Sequence, residues 1–376
     1  DCTNFYFEID REDDFRKKGP SKENKHEPII GLGLMLDASQ IPMGMHLYPG
    51  NESEKPVIRQ VIKELKERNQ ITGRTVRVAD KGLNCASNII DALKNNDGYL
   101  FSKSVKQLPE TEKTWVLLRN DYKRITDSDG RLLYEIKECI DEFPYTYKDE
   151  DGKRHTVRVK EKRVATYNPK LAEKKRYEIN RLVEKAKALK ASQAKKSEFG
   201  ECSKYVTFGW ADPKGNAVDG KVRVTINREA IEKDLRLAGY NLLITSETKM
   251  TAGDIYSTYH NLWRIEESFR VMKSYLDARP VYLQKIASIH GHFLVCYLSV
   301  LLIRILQFKV LKNKYCTEKL INFIRGFRLV KLEQDNYVNI TPSSEFIKDL
   351  AAELGLPITS YFLNESQIKK MLNHKF

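Results

Sequence analysis

The strongest constraint on the fold is an ordered run of elements in the first hundred residues. Residues 2–8 (CTNFYFE), 29–36 (IIGLGLML) and 42–48 (PMGMHLY) are β-branched, aromatic or apolar, with charged or turn-rich connections between them. They predict three strands. Val57, Val61, Ile62 and Leu65 recur at helical spacing within 54–68, and RTVRVAD at 74–80 alternates like a strand. A helix is expected from about Ala86 to Leu93, and GYLFSK at 98–103 reads as a further strand. Three strands, helix, strand, helix, strand is the order of an α/β fold, a mixed sheet with helices packed on it. Gly31-Leu32-Gly33 lacks a third glycine and a following helix, so it is no dinucleotide fingerprint.

From about 105 to 249 the pattern changes. Residues 143–167 alternate on either side of Asp151-Gly152, which predicts a β-hairpin. Asn168-Pro169 then offers an N-cap and an N1 proline for a long helix, 169–197. That helix is crowded with cations: Lys170, Lys174, Lys175, Arg176, Arg181, Lys185, Lys187, Lys190, Lys195 and Lys196. Two readings stand side by side for it: a solvated charged face, or a surface that tracks phosphates without reading sequence. Segments 203–210 and 221–227 are β-like, and YNLLITS at 240–246 reads as a buried strand. The whole stretch is expected to form its own β-rich layer and to rejoin the core sheet at 240–246.

A chain of 376 residues suits one large domain with an insertion, or two to three domains. The net charge of +14 favours a polyanionic partner, of which nucleic acid is the commonest; a merely basic enzyme surface is the other reading. Cys2, Cys85, Cys139, Cys202, Cys296 and Cys316 form no CxxC pair, which argues against a zinc site or disulfide framework and fits a reducing cytosol. Phe293 to Leu306 is apolar, but Arg304 interrupts it and it is short for a membrane span, so a buried core helix is expected. No signal peptide is visible, and a start at Asp1 rather than Met leads us to expect that an upstream segment has been removed.

The stretch 258–276, TYHNLWRIEESFRVMKSYL, has helical length and carries the densest chemistry. Leu262, Ile265, Phe269, Met272 and Leu276 form an apolar stripe. Tyr259, Glu266, Arg270, Lys273 and Asp277 form a second stripe beside it, which puts Glu266 at the edge of the buried face and Glu267 on another. Glu266 then has two readings: an i,i+4 salt bridge to Arg270, or a carboxylate that does chemistry. Asp1 at the first strand and Asp80 at the end of the fourth are two further acids that a sheet-plus-helix layout can bring near it. Three carboxylates from separate elements suffice for a pair of Mg²⁺ or Mn²⁺ ions in an in-line phosphoryl displacement.

The YHNLWRIEESFRVMK helix, the DKGLNC at 80–85 and the opening DCTNFYFE together resemble the DDE transposases of bacterial insertion sequences. The group with a Tyr-x2-Arg-x3-Glu-x6-Lys signature is the one approached, through Tyr259, Glu266 and Lys273, with Leu262 at the arginine position. RPVY at 279–282 and the apolar helix after it also resemble such proteins, so the likeness runs from residue 1 to about 308. It implies a ribonuclease-H-like mixed sheet with flanking helices, interrupted by a largely β insertion. The corresponding division is 1–104 for the first part of the core, 105–239 for the insertion, 240–310 for the second part, and 311–376 for an α-rich C-terminal segment. It further implies Asp1, Asp80 and Glu266 as ligands of Mg²⁺ or Mn²⁺, two ions, with Tyr259, Arg270 and Lys273 at DNA. The implied activity is cleavage of double-stranded DNA at transposon terminal repeats and strand transfer to target DNA, by a cytoplasmic protein that is a homodimer on DNA and does not enter membranes. A non-catalytic DNA-binding relative, and a nuclease of the same fold that cuts without joining, are the alternatives.

Overall fold

The computed structural model describes residues 1–374 apart from 24, 150, 193–195 and 210–222. It divides into two compact units, Asp1–Thr72 with Asn261–Phe376, and Gly73–His260. In the first unit β1 (Cys2–Tyr6), β2 (Ile29–Leu36) and β3 (Pro42–Pro49) form an antiparallel sheet in the order β1-β2-β3. The first six residues of β2 are all buried, so its backbone groups have no water to turn to and both edges are paired. Gly31 lies opposite Tyr48 of β3, and a Cβ there would stand 2.0 Å from the tyrosine ring. The glycine pair of β2 thus contains a seat for Tyr48. Helix α1 (Glu54–Arg68) buries Val57, Val61 and Leu65 as its spacing predicts, with Ile58 buried in place of the expected Ile62, which is only half-buried.

The second unit begins with β4 (Val76–Ala79), α2 (Ala86–Lys94) and β5 (Gly98–Lys103), a parallel strand pair with the helical crossover that such a pair requires. Helix α3 (Glu110–Leu117) and strands β6 (Lys123–Thr126), β7 (Leu132–Lys148) and β8 (Arg154–Tyr167) follow. β7 and β8 are the predicted hairpin, with Gly152 at φ +78° in its turn. Asn168 caps α4 (Pro169–Ala191), its Oδ1 accepting from the Leu171 N–H at 3.0 Å. The helix ends at Ala191 rather than 197, and Lys195 lies outside the described residues. The unit continues with β9 (Val206–Gly209), β10 (Arg223–Ile226), α5 (Arg228–Leu237), β11 (Tyr240–Thr245) and α6 (Ala252–His260).

The sheet of this unit is mixed, with six strands in the order β4-β5-β11-β8-β7-β6. β6, β7 and β8 therefore do not form a separate layer; they extend the ladder beyond β11, which pairs with β5 on one edge and β8 on the other. The reason is burial. Leu242, Leu243, Ile244 and Thr245 are fully enclosed, and a bare edge on such a strand would leave buried N–H and C=O groups unmet. A pack of their own is made instead by α4, α5, β9 and β10, around Ile179, Val183, Ala186, Phe199, Tyr205 and Val206.

The first unit resumes with α7 (Trp263–Arg270), a π turn at Val271–Tyr275 and α8 (Ile286–Ile305). The expected single helix over 258–276 is interrupted at 261–262, so Tyr259 belongs to the second unit while Glu266, Arg270 and Lys273 belong to the first. Helix α8 buries Ile289, Phe293, Cys296, Val300 and Arg304 and exposes Leu294, Val295, Leu298 and Leu302. It is a core helix on one face only, although its length and composition alone would let it cross a membrane. Helix α9 (Thr317–Gly326), β12 (Leu329–Lys331), β13 (Tyr337–Asn339), α10 (Glu345–Leu354), β14 (Phe362–Leu363) and α11 (Glu365–Leu372) complete the chain. The core of this unit joins Phe5, Leu32 and Leu34 of the sheet to Ile265 and Phe269 of α7, Phe293 of α8 and Phe346 of α10.

Candidate active-site elements

Helix α7 is covered on more than its apolar stripe. Ile265, Ser268 and Phe269 are buried, and so is Glu267, while Glu266 is exposed. Glu267 Oε2 lies 3.1 Å from Nη1 of Arg304, which is fully enclosed, and Oε1 accepts from Thr317 Oγ1 at 2.8 Å. Arg304 also donates from Nε to Ser268 Oγ at 3.1 Å and from Nη1 to Gln307 Oε1 at 2.6 Å. Burial pushes the Arg304 guanidinium below its usual range, against the pull of Glu267. The expected assignment of faces is thus reversed for Glu267: helix geometry turns it away from the stripe, but α8 and the start of α9 cover that second face. Glu266, the next residue round, has neither hydrogen bond nor ion pair among the described residues. The Glu266–Arg270 bridge that i,i+4 spacing offers is not formed, and Arg270, mostly exposed, approaches Glu267 only at 4.0 Å.

Lys273 already has an internal partner. Its Nζ sits 2.8 Å from Glu23 Oε1 and 5.3 Å from the centroid of the Phe5 ring, and Arg279 pairs with the same carboxylate. Burial raises Glu23, but hydrogen bonds and charge from Lys273 and Arg279 outweigh it and hold the carboxyl below the usual range. Lys273 is pushed down by burial, with Glu23 pulling it up. The shifts favour opposite outcomes, the charged form at Glu23 and the neutral form at Lys273. The geometry decides: two cations on one oxygen describe an ionised cluster.

Asp80 directly follows β4. Its Oδ1 accepts from the backbone N–H groups of Gly82 at 2.8 Å and Leu83 at 3.3 Å, an Asx turn. A Cβ on residue 82 would stand 3.0 Å from that oxygen, so a larger residue there would crowd the Asx turn. Oδ2 takes no hydrogen bond among the described residues. Asp1 is half-buried at the head of β1; its Oδ1 accepts from the Cys2 N–H at 2.7 Å, and its α-amino group donates to the Leu34 carbonyl at 3.0 Å. Tyr259, half-buried on α6, packs beside Ile255 and meets the His260 ring edge-on at 5.7 Å. By unit, Asp1, Glu266, Arg270 and Lys273 lie in the first and Asp80 and Tyr259 in the second. Among the described residues no group of three or more His, Cys, Asp and Glu side chains is gathered as a metal site.

Sequence reasoning missed Glu23 and the buried pairing of Glu267 with Arg304. Arg304 did give a sign, since a lone arginine in an apolar run needs a carboxylate buried with it.

A mixed α/β chain with one carboxylate at a strand end and another exposed on a helix is the class of protein these elements define. Residues 7–302 match the transposase DDE domain family, and the chain belongs to it. Asp80, Tyr259, Glu266, Arg270 and Lys273 fall inside the matched span, and Asp1 precedes it. No curated protein matches the chain. Family membership makes this a transposase by class, with DNA as the substrate of that class.

Proposed function

We propose that the chain is the catalytic region of a DNA transposase that cuts strands at the ends of its element and joins the freed 3′-OH to target DNA. Asp1, Asp80 and Glu266 hold Mg²⁺ or Mn²⁺, as two ions, in this reading. The observation that carries it, beside the family, is the contrast within the doublet of α7: Glu267 is consumed by Arg304 and Thr317, whereas Glu266 is exposed and unengaged. The donor chemistry fits, since all three groups offer carboxylate oxygens, the ligands that hard divalent cations take. When bound, such ions supply charge neutralisation and Lewis acidity for in-line phosphoryl displacement. The chain's own part is to hold Asp80 ready through its Asx turn and to direct Glu266 to solvent. Arg270 and Tyr259 donate to phosphate, and Lys273 does so once it leaves Glu23. The accompanying reading of the fold is a ribonuclease-H-like core, 1–104 and 240–310, around an insertion, 105–239, with 311–376 as a C-terminal segment. Double-stranded DNA is the partner, bound by a homodimer in the cytoplasm.

The test is nicking of a supercoiled plasmid that carries the ends flanking the chain's own coding sequence, with a binding titration at fixed salt. Glu266→Gln should abolish Mg²⁺-dependent nicking and leave binding, which rests on many cation–phosphate contacts. Nicking by Glu266→Gln equal to that of the unmodified chain removes the catalytic assignment. Nicking without joined products would identify a nuclease that only cuts, and binding without nicking a non-catalytic relative.

A further inference from the structure

Helix α4 carries more cations than its fold needs, and only some of them are paired within it. Lys175 is paired with Glu178 at 2.9 Å and Lys187 with Glu184 at 2.8 Å, while Arg176 and Lys190, off the row described next, are exposed and in no ion pair among the described residues. Lys170, Lys174, Arg181 and Lys185 are exposed and have no ion pair among the described residues. With Tyr177, which is 69% exposed, they stand at successive separations of 4, 3, 4 and 4 residues, the spacing that keeps side chains on one face of a helix. The opposite face is the buried one, through Ala172, Ile179, Val183 and Ala186. The Lys175 hydrogen bond and charge come first in holding Glu178 below the usual carboxylate range, and charge from Lys174 and Arg181 adds to it.

We propose that the row Lys170, Lys174, Tyr177, Arg181 and Lys185 is a docking surface for the phosphate backbone of duplex DNA, a second contact region separate from the residues of α6 and α7. It rests on the reading that the chain acts on DNA. Fifteen residue steps of helix, from Lys170 to Lys185, extend about 22 Å, the axial length of roughly six phosphates along one strand. Lysines on a rigid rod bring charge without base readout, so the surface holds DNA of any sequence. An anionic membrane would need a broad free apolar face beside the cations, and α4 offers only Leu171 and Tyr177 there, while Ile179, Leu182, Val183 and Leu189 pack inside the unit.

The experiment compares three proteins on a labelled random-sequence duplex across a salt series: the full chain, a variant with Lys170, Lys174, Arg181 and Lys185 all changed to Gln, and a control with Lys175→Gln and Lys187→Gln. Each lost phosphate contact lowers the slope of log affinity against log salt by about 0.9, so the fourfold variant should lose about 3.6 in slope and bind more than tenfold more weakly at low salt. The control should keep the parent slope. An unchanged slope in the fourfold variant, while the parent binds, overturns the proposal and leaves the transposase reading standing. Equal losses in variant and control overturn it too, because total charge and not the row would then decide. Failure of the parent to bind any duplex overturns both readings, and capture by anionic vesicles in place of DNA overturns the choice of partner. Circular dichroism of the variants keeps misfolding from passing as lost contact.

Discussion

Two adjacent glutamates on α7 differ in burial because neighbours cover the helix on both the stripe side and the Arg304 side. Removing the charge of Glu267 leaves a fully enclosed guanidinium without its counter-ion, and breaking one side of a buried pair costs several kcal/mol. Glu267→Gln should therefore lose about 3 kcal/mol in denaturant unfolding, with a good part regained when Arg304→Met is added; a cost under about 1 kcal/mol would show that the pair carries little. Glu23 offers a second residue-level test. Its depressed carboxyl contributes stability that is present above the ordinary glutamate range and is lost as pH falls through the lowered value. Because Glu23 is only partly enclosed, that contribution is under about 1 kcal/mol. Glu23→Gln should make stability flatter with pH on the acid side. It should also tighten DNA binding by freeing Lys273 and Arg279, and unchanged affinity would show that those two cations do not meet phosphate.

At the scale of elements, packing partners decide what a strand tolerates. Gly31→Ala places a methyl carbon where the Tyr48 ring already lies, so it should cost about 3 kcal/mol and be largely relieved when Tyr48 is shortened to Leu in the same chain. Thermal unfolding of the single and double variants checks this, and additive losses would place the strain elsewhere. The same distinction separates what the sequence could tell from what it could not. Alternation and turn residues marked β5 at Gly98–Lys103, the turn of the β7–β8 hairpin and the end of β8 at Tyr167, because these are local properties of the chain, whereas β7 begins at Leu132, well before the expected 143. Which edge β8 would join is not local: it depends on β11, reached only after α4, β9, β10 and α5. The doublet on α7 failed for the same reason. Its helical phase was legible, but the group that buries Glu267 comes from 37 residues further along.

For the whole molecule, the two units make different demands on the chain. Gly73–His260 is one continuous segment that holds an entire six-stranded sheet and several apolar clusters, among them the one around Ile89, Tyr99, Phe101, Ala165 and Ile244. The other unit is assembled from both ends of the sequence, and its core needs Phe5 and Leu32 from one end as much as Phe293 and Phe346 from the other. A continuous segment with its own core meets the conditions for folding alone. Residues 73–260 produced as a separate polypeptide should therefore unfold cooperatively, with the near-ultraviolet signal of fixed aromatic side chains. They should also keep the salt-dependent DNA binding of the α4 row, while carrying only Asp80 of the three proposed ligands and hence no nicking. Residues 1–72 alone should stay unfolded, since β1, β2, β3 and α1 would expose the face that α7 and α8 bury. A non-cooperative 73–260 segment would mean that this unit, although compact, borrows its stability from the rest of the chain.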